Sequence, residues 1–330
     1  MSDLLFSLNI VMPMASLLAI GYLFKRTHFF SEEFIASGKR LCFYVLLSCS
    51  LFKNLYDSNL EKIPYRFITF LVFAILIEIL ISFLAAKKIA ERREETGVII
   101  QGLFRSNFAY IGIPLASMFF TDAALLERTS SEISLASIFV IPLFNIFAVI
   151  SLSAYTDDKD DTSLLKKSVY GILKNPCIIS IFCGVIVLLL RLIVPGASFF
   201  VRDQIPFVYK VLGYLASMST PFAFLLVGAS LDLGKSVSDL KKLVSVVLLR
   251  DLIFPLTAIL LAWLLKAADS VEYAILVSVF ASPTAVASAI MASEMGGDRD
   301  LANEIVAYTT IFSMFSLLII IYTLKTTGCL

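Results

Sequence analysis

Residues 102–120 read "GLFRSNFAYIGIPLASMFF", an apolar run with faults built into it. Arg105, Asn107, Gly112 and Pro114 interrupt a segment otherwise fit to cross a bilayer. Charged and polar side chains are costly in hydrocarbon, and proline removes a helical hydrogen bond. A segment that only had to span would avoid them, so these residues mark a broken helix with a task.

The surrounding chain supplies the membrane. Hydrophobic residues make up 59% of the 330 and charged residues 16%, a balance foreign to soluble domains. The net charge of +1 points to no nucleic-acid partner. Lipid leaves no backbone group unpaired, so spans are helices or closed barrels, and long apolar runs without period-two alternation select helices. Ten runs of about 20 residues are expected to span: 4–24, 34–52, 64–86, 97–120, 133–154, 175–194, 205–232, 243–265, 271–294 and 301–324. The fold class is an all-α polytopic membrane protein. No basic residue precedes the first span, so no cleavable signal is expected. One set of loops carries roughly 16 Lys and Arg against 9 on the other, which places the richer set in the cytoplasm and both termini outside. The five cysteines are an odd number, four of them within spans, and read as small apolar fillers. No metal or cofactor is expected, and His28, the single histidine, reads as interfacial.

The polar stretch 155–174, "YTDDKDDTSLLKKSVYGILK", divides the chain into residues 1–154 and 175–330, each with five spans. An odd number per half inserts the halves in opposite orientations. Pro13 and Gly21 in the first span match Pro176 and Gly184 in the sixth. "FRSNFA" in the fourth matches "FASPTA" in the ninth, with Phe104, Ser106 and Ala109 over Phe280, Ser282 and Ala285. Inverted repeats with breaks in equivalent helices mark secondary-transporter sites. Asn107 lies about ten residues into its span and Pro283 about twelve into its own from the opposite side, roughly 15 and 18 Å. Both breaks fall near midplane, where the helices can cross and present unwound backbone to a cavity. The candidate substrate-binding residues are Arg105, Ser106, Asn107, Pro114, Ser282, Pro283, Thr284 and, from the fifth span, Asn145.

Glu78, Arg250 and Asp251 complete the intramembrane charges and are candidates for coupling or gating. Glu78, Arg105 and Arg250 stand at similar depth, so Glu78 can pair with either arginine. Arg250 can also snorkel. The hydroxyls of Thr309, Thr310 and Ser313 are at that depth too, although helical hydroxyls commonly bond their own backbone.

"RSNFAYIGIPLA", followed downstream by "ASPTAVASAIMASEMGGDRDLANEIV", resembles the auxin efflux carrier family, which includes plant PIN proteins and bacterial malonate or malate permeases. "STPFAFLLVGASLDL", with Pro221 and Gly228, and "LLRDLIFPL", with Arg250 and Pro255, resemble it as well. The resemblance implies a fold like that of sodium–proton antiporters and bile-acid symporters. Helices 1, 2, 6 and 7 would form a scaffold, usually dimeric, and helices 3–5 and 8–10 a moving core with helices 4 and 9 crossing in it. The function expected on this fold is elevator-type transport of a small organic anion, with coupling to H+, to Na+ or to no ion left open. Two departures stand out: Ser48 in "LSCSLF" replaces a proline common in the family, and Asp251 is not expected there.

Three rival functions are weaker. "DDKDD" gives one DDxxD match, Asp157, Asp158 and Asp161, of the kind that holds magnesium diphosphate in prenyltransferases. It sits alone in a solvated linker, with no catalytic motif elsewhere. A receptor would be expected to carry a soluble domain. A cation antiporter would place acids at the crossover, which here offers Asn, Arg, Ser and Thr.

Overall fold

A computed structural model describes residues 3–57, 64–155, 176–193, 202, 205–231 and 239–330. The linker beyond its first residue, and the DDxxD match in it, lie outside the described residues. These are helical throughout, with no strand among them and one isolated β-bridge.

The first half contains α1 (Asp3–Arg26), α2 (Glu32–Leu41), α3 (Ser48–Asp57), α4 (Tyr65–Ile89), α5 (Arg93–Phe104), α6 (Ile113–Ala116) and α7 (Ala123–Ser153). The second contains α8 (Pro176–Ile193), α9 (Pro206–Ala229), α10 (Leu240–Leu248), α11 (Phe254–Leu264), α12 (Ser270–Phe280), α13 (Val286–Glu294) and α14 (Arg299–Thr326). Among the described residues seven helical stretches are long and apolar enough to cross a membrane: α1, α2–α3, α4, α7, α9, α10–α11 and α14. Segments of α8 and α12 are shorter apolar helices.

Caps set many of the boundaries. Ser31, Asp122, Asp239, Asp269 and Asp298 each accept a backbone N–H in the first turn of the helix that follows. Asp122 starts α7 at Ala123, well before the span expected from residue 133. Hydropathy reports the apolar portion of a helix, whereas the cap reports where it begins.

Among the described residues, three wide, π-helical turns interrupt the long helices. The first, Cys42–Leu47, joins α2 to α3, and the Ser48 hydroxyl donates to the Phe43 carbonyl at 3.1 Å. The wide turn thus ends at the residue before Ser48, where the resemblance led one to expect proline. The others, Phe108–Gly112 and Leu249–Ile253, each precede a proline by two residues, Pro114 and Pro255. Proline has no N–H for the carbonyl four residues back, which favours rearrangement of that turn.

α1 packs along α9, and α3 packs on α8 and α9. A Cβ on Gly21 would collide with the Leu225 carbonyl oxygen, and one on Gly228 with that of Leu18. These glycines let the two backbones touch, as small residues do in membrane interfaces. In the other cluster, α5 packs on α4, α7, α13 and α14, and α12 on α7 and α11.

Candidate functional site

α5 stops at Phe104 and α12 at Phe280, and the extended chain after each meets the other. The Asn107 N–H donates to the Pro283 carbonyl at 2.7 Å, and the Ala285 N–H to the Arg105 carbonyl at 2.9 Å. Ser106 and Thr284 form the isolated antiparallel bridge between them. Two broken helices are thus stitched through their main chains. The Ser106 N–H donates to Phe104 and that of Thr284 to the Thr309 hydroxyl. The unwound amides at 106, 107, 284 and 285 are consequently satisfied by protein. None of these four needs a ligand or water: the antiparallel approach supplies 107 and 285, Phe104 supplies 106, and Thr309 of α14 supplies 284.

The side chains divide into two groups. Ser282 donates its hydroxyl to the Ser278 carbonyl at 2.6 Å, and Thr284 to Gly102 at 2.7 Å. Both are fully buried and hold the crossover together. In contrast, the Asn107 Nδ2, the Ser106 Oγ and the Ser288 Oγ are buried with no hydrogen-bond partner. Such orphans are costly and mark polar groups awaiting one. Gly112 sits against the Ser278 carbonyl, where a Cβ would collide, which brings the restarting helix close to α12.

The two arginines have opposite surroundings. Arg105, 6% exposed, donates to the Gln101 Oε1 at 3.1 Å, the Asn145 Oδ1 at 2.9 Å and the Met291 sulfur at 2.8 Å. Every one of these partners is neutral. Asn145 in turn donates to Ile141, and Gln101 to Ala148. Arg250, fully buried, meets the Glu78 Oε1 at 2.7 Å and donates to the Leu103 and Ser282 carbonyls at 3.1 and 2.7 Å. It thereby ties the ends of both broken helices to α4, and does not snorkel. Asp251 is fully buried on the same wide turn.

Pro114 lines a polar cavity of about 360 Å³ between α3, α6, α7 and α9, with Ser50, Lys53, Asn54, Ser117, Ser130 and Thr220 among its walls. An adjoining cavity of about 370 Å³ shares Lys53, Asn54 and Ser130 and adds Asp57, Arg202 and Tyr209. Lys53 pairs with Asp57 at 2.6 Å. On the opposite side of the crossover, Tyr110 stacks on Phe43 and donates to the Lys39 carbonyl at 3.2 Å.

Ion pairs lock both ends of the α5 cluster. Lys242 of α10 meets Glu91 and Glu95 at 3.0 Å, and Arg92 reaches Glu95 at 2.7 Å and Asp298 at 2.6 Å. Burial would raise the Glu95 carboxyl, but hydrogen bonds from the Glu91 backbone, Arg92 and Lys242 hold it down at about 2. At the far end Arg128 joins Glu132 of α7 to Asp269, the cap of α12, both at 2.6 Å.

Gln101, Ser288 and Met291 did not stand out in the sequence. Gln101 carried a signal, being one helical turn before Arg105; Met291 carried none. Among the described residues no group of three or more His, Cys, Asp or Glu could hold a metal ion. A family model described as membrane transport protein matches residues 6–321. No curated protein matches the chain.

Proposed function

Because the chain belongs to the membrane transport protein family, the auxin efflux carriers, it is a membrane transporter, and we propose that its cargo is a small organic anion, a carboxylate or dicarboxylate. The observation that carries this reading is Arg105: a buried cation whose partners are all neutral, beside the orphaned Asn107, Ser106 and Ser288. An anion would supply the missing charge and the missing acceptor together, and in low dielectric that charge counts heavily. The crossover strands, 105–107 and 282–285, carry no carboxylate that would favour a bare cation.

In this reading the ten spans form two inverted five-helix repeats in the cytoplasmic membrane, with both termini outside. The sequence matches, the paired breaks and the two proline-associated wide turns support it. α1, α2–α3, α8 and α9 form the scaffold, and the remaining helices a core that moves against it as an elevator. The end-to-end ion pairs favour a rigid core, and the cavity at Pro114 lies along the seam. A homodimer would form through the scaffold, where Phe207, Val211, Tyr214 and Met218 make an exposed stripe along α9.

A thermal-shift screen of mono- and dicarboxylates, with and without sodium, tests the cargo, since a ligand that binds the folded state raises its stability. At least one carboxylate should stabilise the parent and not Arg105→Gln. Stabilisation that survives Arg105→Gln unchanged would overturn the assignment.

A further inference from the structure

Asp251 is completely buried, and neither oxygen of its carboxyl group has a hydrogen-bond partner. The charges nearest in the network are Arg250, on the same turn, and Glu78, which Arg250 already holds at 2.7 Å. That pair is neutral by itself, so an ionised Asp251 would add a full uncompensated charge. α5 and α14 pack against this turn. At this level of α14, Thr309, Thr310 and Ser313 donate their hydroxyls to the carbonyls of Ile305, Val306 and Thr310. The charged groups of α14 near the cytoplasmic end, Asp300 and Glu304, are acidic apart from Arg299. Those of α5, Arg93, Glu94 and Glu95, stand in its first turn. Arg105, just past α5, is directed at Gln101, Asn145 and Met291. The one cation on this turn, Arg250, is already held by Glu78, and no hydrogen bond reaches the Asp251 carboxyl, so burial favours its neutral form.

We propose that Asp251 is a proton-binding site of the transport core and that its proton travels with the anion. The O–H bond forms with a proton from one aqueous phase and breaks by release to the other; no other bond changes. Charge counting gives the coupling rule. With Glu78 and Arg250 cancelling, Arg105 and Asp251 decide the net charge. A core with Asp251 ionised and no cargo is neutral. A core with Asp251 protonated and a monoanion on Arg105 is neutral again. Proton alone leaves one positive charge, and anion alone one negative. Each neutral state can cross the low-dielectric seam, so proton and anion move together. The coupling half rests on the anion reading above; the protonation half does not.

Infrared spectroscopy of the purified protein in lipid tests protonation directly. The difference between the parent and Asp251→Asn at neutral pH should contain a protonated-carboxyl carbonyl band, with Asp251→Leu as the substitute if the asparagine variant fails to fold. Its absence overturns the proton site whatever is transported. Coupling is read from initial uptake of radiolabelled lactate into proteoliposomes, after subtracting entry into protein-free vesicles. A one-unit inward proton gradient should speed the parent by up to about ten-fold, the change in proton occupancy that one pH unit allows, and leave Asp251→Asn unaffected. Equal acceleration of both overturns coupling. If no lactate enters the parent with or without the gradient, coupled anion transport is overturned, and the infrared difference alone decides the proton site.

Discussion

Replacing Arg105 and Arg250 separately by glutamine should pull binding apart from folding. Arg250→Gln strands Glu78, 4% exposed, without its ion partner and removes the clip on the Leu103 and Ser282 carbonyls. Breaking one side of a buried pair costs about 3–5 kcal/mol. Arg105→Gln strands no carboxylate. It loses hydrogen bonds to neutral groups only, each worth about 0.5–1.5 kcal/mol net, and a glutamine can retain one of them. Its main effect should be on cargo: losing a hydrogen bond to a charged ligand costs about 1.5–3 kcal/mol, roughly ten- to a hundred-fold in affinity. The assay is thermal unfolding of each purified variant, without ligand and over a titration of the stabilising carboxylate. Arg250→Gln should unfold well below the parent yet retain ligand affinity within a few-fold while folded. Arg105→Gln should unfold near the parent and respond weakly to ligand. The reverse pattern would refute the division of labour between the two arginines.

Asn107→Ala should abolish uptake while leaving unfolding within about 1 kcal/mol of the parent, because its Nδ2 has no partner to lose; normal counterflow by this variant would move the site elsewhere. A cysteine pair at Asn54 and Ser130, which line the same cavity from α3 and α7, should stop transport when cross-linked and preserve binding; transport by the cross-linked protein would exclude a sliding core. Glu95 is held below the ordinary glutamate value of 4.5, so its stabilising contribution is present above that value and is lost as pH falls toward about 2. Acid titration of Glu95→Gln should therefore show a shallower loss of stability across that window. Gly228→Val should separate α1 from α9 and lower the yield of folded protein, since its side chain has only the Leu18 carbonyl to occupy; unchanged stability would mean that the two helices can part freely.

Residues 105–107 betrayed themselves in the sequence because hydrocarbon makes arginine and asparagine conspicuous, and the matching "FASPTA" announced a second break. Depth was also legible, since it follows from counting residues along a helix. Azimuth was not. Glu78 had two arginines at its own level, and only the rotation of α4 against the wide turn at Leu249–Ile253 decided for Arg250. The hydroxyls of Ser282 and Thr284 looked as open to a ligand as that of Ser106, yet a short polar side chain near unwound backbone meets whichever carbonyl happens to face it. The wide turn at Cys42–Leu47 was not legible, because such a turn requires no proline and leaves no mark on composition.

The paired main chains at the crossover have a corollary for substitution. Pro283 and Arg105 contribute carbonyls to that joint, and backbone carbonyls are present whatever the side chain. The joint is therefore largely indifferent to what positions 106, 107 and 288 display. Substitutions at those few positions should leave the main-chain joint intact.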